Sequence, residues 1–220
     1  MNRPVRSSAW GLAAGVLAVV LMLLASVAFP TEAQAIPESS ALYRLQLERE
    51  TARQFGLDAP VARIAAQIHQ ESGWRPTAQS PFAQGLAQFT PATAKWLPQV
   101  CPEVGPPDPW DSSWSLRAIT CYDAWLHRRV RAQPGGSVID ECSRWAYTLR
   151  AYNGGEGWLN RERAKAAAAG ANANDWRQVE KYRVRADWAH KENIGYPRRI
   201  LLVLEPRYLR AGWPGKAACG

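Results

Sequence analysis

From residue 42 onward, apolar positions recur at the three- and four-residue intervals of helices buried on one side, and this pattern covers most of the chain. Leu42 to Phe55 reads as a first helix. Val61, Ile64, Ala65 and Ile68 share one face of a second, opened by Asp58 or Ala59 with Pro60 and reaching Glu71. Thr90 followed by Pro91 has the form of an N-cap with proline at the first helical position, and predicts a short helix to about Trp96. A loop rich in Pro and Gly runs from Pro98 to Pro109. Trp114 to Arg131 is a long helix with Ile119, Tyr122, Leu126 and Val130 on one face, stopping before Pro134-Gly135-Gly136. Val138, Cys142, Trp145, Leu149 and Tyr152 form a further buried stripe that ends at Asn153-Gly154-Gly155. The Ala-rich segment Ala164 to Ala173 suits either a helix or a flexible excursion, and Gly195 to Leu204 forms a last apolar helix. Strand signals are confined to Gly85 to Phe89. The expectation is one mainly α domain over residues 36–210, followed by an irregular tail, 211–220, tied down if Cys219 is paired.

The first 35 residues follow a different pattern. Arg3 and Arg6 precede an apolar run from Trp10 to Phe29, and Ala33-Gln34-Ala35 offers a small-x-small cleavage site, the layout of an export signal. The run is also just long enough to span a bilayer, so residues 10–29 are either removed with a signal peptide or kept as a membrane anchor. Either way the domain is exported, to the periplasm or cell envelope.

Composition narrows the function classes. A chain of 220 residues, 47% hydrophobic, is ample for a packed core. Its net charge is +8, and the part beyond residue 35 keeps 25 basic against 18 acidic residues. Outside the cytoplasm that excess favours cell-wall polymer or lipid headgroups, and nothing resembles a nucleic-acid motif. Cys101, Cys121, Cys142 and Cys219 permit up to two disulfides among three connectivities in an oxidising compartment. No Cys-x-x-Cys spacing suggests zinc, and His69, His127 and His190 read as ordinary polar residues without ligand spacing, so no metal and no cofactor is expected.

The candidate chemistry centres on Glu71. A carboxylate at a helix C-terminus faces the negative end of the macrodipole, which disfavours ionisation and, with partial burial, raises its pKa. An acid protonated at neutral pH is suited to general acid catalysis, and protonation of a glycosidic oxygen is its best-known use by a carboxylic acid.

Glu71-Ser72, Ser80, Gly85-Leu86-Ala87-Gln88, Pro91 and Thr93-Ala94 resemble the central motif of family 23 lytic transglycosylases. Ala151-Tyr152-Asn153-Gly154-Gly155 is similar to that family's second motif, and Glu192 to Leu201 to its terminal Glu-to-Tyr segment. The resemblance implies a lysozyme-like fold and cleavage of the β-1,4 bond between N-acetylmuramic acid and N-acetylglucosamine, giving a 1,6-anhydro sugar. It makes Glu71 the catalytic acid and base. It places Ser72 and Gln88 along the cleft, brings the Tyr152 hydroxyl toward the carboxylate with Asn153 supporting that wall, and gives Glu192 and Tyr196 to substrate binding. Three departures stand out: the Ser80 to Gly85 loop is one residue short, Ala87 replaces Met, and Pro197 replaces Val. The expected partner is the peptidoglycan glycan strand, bound by a monomer, in a setting of wall remodelling, a secretion apparatus or phage lysis.

Of the ten tryptophans beyond residue 35, Trp74, Trp96, Trp110, Trp114, Trp158 and Trp188 lie near loops or element ends, and Trp74 is the leading candidate for stacking on sugar. The run His127-Arg128-Arg129-Val130-Arg131 reads as a charged last helical turn that matches the dipole. Two rival functions remain: a goose-type lysozyme, whose water needs a second carboxylate (Asp58, Glu103, Asp108 and Asp111 are available), and a non-catalytic wall-binding secretion accessory.

Overall fold

A computed structural model describes residues 35–220. The expected signal or anchor, with its apolar run at 10–29, lies outside the described residues. After a 3-10 segment at Glu38–Tyr43 come α1 (Arg44–Phe55), α2 (Val61–Ser72), α3 (Pro91–Trp96), α4 (Ser112–Arg129), α5 (Glu141–Gly154), α6 (Glu156–Ala168), α7 (Trp176–Val179) and α8 (Asp187–Arg199). A π turn, Ile200–Leu204, then leads into α9 (Glu205–Arg210). Among the described residues, no helix is long and apolar enough to cross a membrane.

The helix α2 is central. Every residue from Val61 to Ile68 is buried, because α1, the π turn and α9 all pack against it. That is why six of its first eight residues are apolar. The helix α1 also packs on α4, α4 on α5, and α5 on both α6 and α8. The one arginine inside α2, Arg63, is buried and paired with Glu205 of α9 at 2.7 Å, its guanidinium 4.4 Å from the Trp145 ring.

Sequence signals set most of the boundaries. Thr90 accepts from the Thr93 amide at 3.1 Å, as its capping role predicts. Asp111 and Asp140 do the same for α4 and α5, each at 2.6 Å, which starts these helices later or earlier than their apolar stripes alone suggest. Val138 accordingly falls outside α5 and is exposed, so it is no part of the buried stripe. The Ala-rich segment resolves into the end of α6 and a turn at Ala169 and Gly170. Gly195–Leu204 is not a separate last helix: it straddles α8 and the π turn, and α9 follows it.

Gly85–Phe89 is not extended. It is a turn flanked by isolated bridges, Gln79 with Gln84 and Gln84 with Phe89, and Gln88 takes a left-handed conformation at φ 48°. Gly85, at φ 75°, lies so close to Pro109 that a Cβ there would meet its carbonyl oxygen at 1.7 Å. The short Ser80 loop closes on itself, the Ser80 hydroxyl accepting from the Phe82 and Ala83 amides at 3.3 and 3.0 Å.

Two disulfides use all four cysteines: Cys101 with Cys121 and Cys142 with Cys219. The second ties the irregular tail to α5, and Pro214 and Lys216 give carbonyls to the Ala62 amide and the Arg63 guanidinium.

Candidate active site

Glu71 sits in the last turn of α2, which closes on Gly73 in the left-handed region. Trp74 follows with φ 63°, a backbone conformation that a bulky residue adopts only when its surroundings force it. What forces it is packing: Trp74 is buried, stacks on Tyr43 at 5.8 Å and donates its indole N–H to the Tyr208 hydroxyl at 2.6 Å. Trp74 is therefore an anchor for the turn that carries Glu71, and the expectation that it stacks on sugar is wrong.

Glu71 opens onto a cleft of about 770 Å³. One wall comes from the loop and turn between α2 and α3, with Ser80, Phe82 and Gln88. The opposite wall comes from α5, α6, α8 and the segment leading into α8, with Tyr152, Asn153, Trp158, Arg185, Trp188 and Glu192. Tyr196, one turn past Glu192 on α8, donates its hydroxyl to Glu71 Oε1. Burial pushes the Glu71 carboxyl up to about 8; the Tyr196 hydrogen bond opposes this, and the charge of Glu192 adds to it. Burial, with Glu71 as a neighbouring negative charge, also holds the phenols of Tyr152 and Tyr196 well above their ordinary value, so both remain hydrogen-bond donors.

The other expected site residues divide. Asn153 and Glu192 meet in the cleft, Asn153 Nδ2 donating to Glu192 Oε1 at 3.4 Å. Gln88 lines it, while its amide secures its own turn by donating to the Ala78 and Gly85 carbonyls at 3.0 and 2.8 Å. Ser72 does not face the cleft; it is buried and its hydroxyl bonds back to Ile68 O. The Tyr152 hydroxyl donates to Ala87 O at 2.7 Å, across the cleft floor, and the phenol bonded to the carboxylate is that of Tyr196. The family resemblance brings the Tyr152 hydroxyl toward the carboxylate and gives Tyr196 to substrate binding, whereas here the hydroxyl bonded to Glu71 is that of Tyr196.

Several residues went unrecognised in the sequence. Asp123 is fully buried on α4, bonded by Gln67 Nε2 at 3.4 Å; burial, then the charge of Glu71, pushes its carboxyl well up. Its signal was an Asp four residues after Ile119, on the buried stripe. Arg150 is fully buried on α5 and paired with Glu162 of α6, and its Nε donates to Asn193 Oδ1 at 3.0 Å. Asn193 in turn donates to Asn153 Oδ1 at 2.9 Å, so this network braces the cleft wall from behind. His190, read from the sequence as an ordinary polar residue, belongs to it, with Nδ1 3.1 Å from Glu162 Oε1. The second-carboxylate candidates lie elsewhere: Asp111 caps α4, Asp58 meets Lys216, Glu103 accepts from Gln54, and Asp108 Oδ1 accepts from the Asp111 amide. Among the described residues, one cluster has metal-ligand spacing, Cys101, Glu103 and Cys121, and its two sulfurs are joined in a disulfide.

Comparison with known proteins gives the chain a family. Residues 46–174 match the family model of the transglycosylase SLT domain. The chain is 30% identical over 156 residues to the membrane-bound lytic murein transglycosylase F of Marinobacter nauticus, an alignment covering 69% of this chain and 28% of that protein. To the proteins of the same name from Stutzerimonas stutzeri and Alcanivorax borkumensis it is 31% identical over 154 residues and 35% over 118, covering 68% and 53% of this chain and 29% and 23% of theirs. It thus spans less than a third of the length of these relatives. The matched span carries Glu71 and Tyr152 and stops before α8, whose Tyr196 nonetheless reaches Glu71. By a family model that covers more than half of it, the chain belongs to the transglycosylase SLT domain family.

Proposed function

We propose that this domain is a peptidoglycan lytic transglycosylase that cleaves the β-1,4 bond between N-acetylmuramic acid and N-acetylglucosamine, with Glu71 as its acid and base. The observation that carries the reading is a carboxyl held up to about 8 in the lining of a cleft of about 770 Å³, with a phenol donating to it. A protonated Glu71 gives its proton to the leaving glycosidic oxygen as the C1–O bond breaks. The charge that develops at C1 is met by the substrate's own 2-acetamido oxygen. Glu71, now a carboxylate steadied by the Tyr196 O–H, takes the proton from the C6 hydroxyl as that oxygen closes on C1. The proton count balances, and no second protein carboxylate is required, in contrast to ordinary glycosidases.

The relatives are named membrane-bound murein enzymes, which supports action at the cell envelope on glycan strands. The basic balance of the chain suits that anionic polymer. Hydrolysis is the competing outcome, because Glu192 also lines the cleft and a second carboxylate there is a candidate for orienting water. Mass spectrometry of the soluble products from digested peptidoglycan, with Glu71→Gln alongside, separates the two. Anhydro-muropeptides that vanish in the Gln variant are expected. Reducing-end muropeptides in their place would overturn the transglycosylase reading.

A further inference from the structure

The wall opposite the Ser80 loop holds more positive charge than its buried carboxylate balances. Glu162 is fully buried and is paired with Arg150, itself fully buried. Arg185 then adds a second guanidinium to the same carboxylate, Nε at 3.1 Å and Nη2 at 3.4 Å. One negative charge therefore faces two arginines, with His190 Nδ1 also 3.1 Å from it.

The surplus is directed. The Arg185 side chain is only 6% exposed, and its third nitrogen, Nη1, has no hydrogen-bond acceptor among the described residues. Nη1 lies against Gly154, where a Cβ would come within 2.3 Å of it, so the guanidinium fits because position 154 is glycine. Gly154 and Arg185 both line the cleft, beside Trp158, whose ring centroid is 5.8 Å from the Arg185 guanidinium. Glu192 does not answer this charge: it is bonded by Asn153, and no ion pair joins it to Arg185. A guanidinium taken out of water, with one edge committed and the other open to a cleft, is a site for an anion, and its planar fork suits a carboxylate.

We propose that Arg185, framed by Gly154 and Trp158, is a carboxylate-binding subsite that reads an anionic substituent on the glycan strand. The inference rests on the peptidoglycan reading above. Muramic acid carries a lactyl group whose carboxylate is either free or amide-linked to a peptide stem bearing carboxylates of its own, whereas N-acetylglucosamine has none. The subsite thus distinguishes wall glycan from neutral polymers of the same backbone.

The test is calorimetric titration of the full chain carrying Glu71→Gln, to stop turnover, with three soluble tetrasaccharides: a muramyl glycan with peptide stems, the same glycan stripped by an amidase to free lactyl carboxylates, and chitotetraose. Adding Arg185→Gln is expected to raise Kd on the order of tenfold to a hundredfold for a carboxylate ligand, the worth of a hydrogen bond to a charged group, and to leave chitotetraose within about twofold. Whichever muramyl ligand shows the loss identifies the source of the carboxylate. Amidating the ligand's carboxylates should produce the same loss with Arg185 in place, a measurement that stands even if the Arg185 variant fails to fold. Equal effects on all three ligands, or no effect of amidation, would overturn the subsite. Binding of none of the three would sink the peptidoglycan reading and the subsite with it.

Discussion

Replacing Glu71 by Gln should abolish cleavage and at the same time stabilise the fold, by an amount that depends on pH. A carboxyl raised from 4.5 to about 8 keeps its proton in the folded chain over a range where the unfolded chain has released it. Folding stability is therefore full below about pH 4.5, falls as pH rises through that range, and levels off above about pH 8. At pH 7 the gap of about 2.5 units, at 1.36 kcal/mol each, sets a ceiling of roughly 3 kcal/mol. Solvent reaching the half-buried side chain reduces this, and about 2 kcal/mol is a fair expectation. A neutral Gln still offers an oxygen to the Tyr196 hydroxyl and carries no such cost. Urea unfolding followed by circular dichroism, with the disulfides intact, should give superimposed curves for the two proteins at pH 4 and a gap that widens to about pH 8. For a domain of this size the gap at pH 7 amounts to about 5 °C in Tm. A Gln variant no more stable than the parent at pH 7, or a gap that does not change with pH, would refute the claim that Glu71 is a desolvated acid.

Cleavage by the parent should fall as pH climbs through about 8, since the proposed first step needs Glu71 protonated. Tyr196→Phe removes the bond that holds that value down; kcat should drop by about tenfold or more while the alkaline limb moves to higher pH, and an unmoved limb would separate Tyr196 from the acid. Trp74→Phe should lower Tm, by loss of a fully buried ring's contacts and the bond to Tyr208, on the order of 1–3 kcal/mol, yet leave the Kd for glycan unchanged; a change in Kd would return Trp74 to the sugar site. Replacing Cys142 and Cys219 by Ser opens a link spanning 77 residues, a loss of about 4.5 kcal/mol in the chain-entropy account, readable as a lower urea midpoint.

The helical layout was legible because most of its helices bury one face, and a one-sided helix writes its period into the sequence. It was least legible where that logic fails. Asp140 starts α5 after Val138, so an apolar residue in register with the stripe is left outside the helix. Gly85–Phe89 looks extended because it is apolar, but its conformation is dictated by a carbonyl of Pro109 pressed against Gly85, a contact 24 positions away in the chain. Glu71 was legible through its motif. The tyrosine bonded to it was not, because motif spacing places Tyr152 and Tyr196 in the same cleft without saying which phenol ends nearer the carboxylate. That is settled by the backbone: the strained turn at Gln88 brings Ala87 O within reach of Tyr152, which uses up that hydroxyl, and α8 then delivers Tyr196.

The same reasoning explains why the network behind the cleft escaped notice. Arg150, Glu162, Arg185, His190 and Asn193 are spread over four segments, and in a linear reading each is an ordinary polar residue on a helix or loop. Their meaning comes from burial. A buried ion pair gains little or nothing in net stability over apolar residues of the same volume, so its value lies in what it fixes in place. Here it fixes a surface: Arg150 and Glu162 hold Asn193, Asn193 holds Asn153, and Asn153 meets Glu192 one turn before the tyrosine bonded to Glu71. Position 154 must stay small for the guanidinium of Arg185 and the amide of Asn193 to approach together, since a Cβ would lie 2.3 and 2.5 Å from them. The glycine that follows Tyr152 and Asn153 in the motif is thus required by packing between the network and the cleft, and the acid, the wall and the surplus charge are parts of one arrangement.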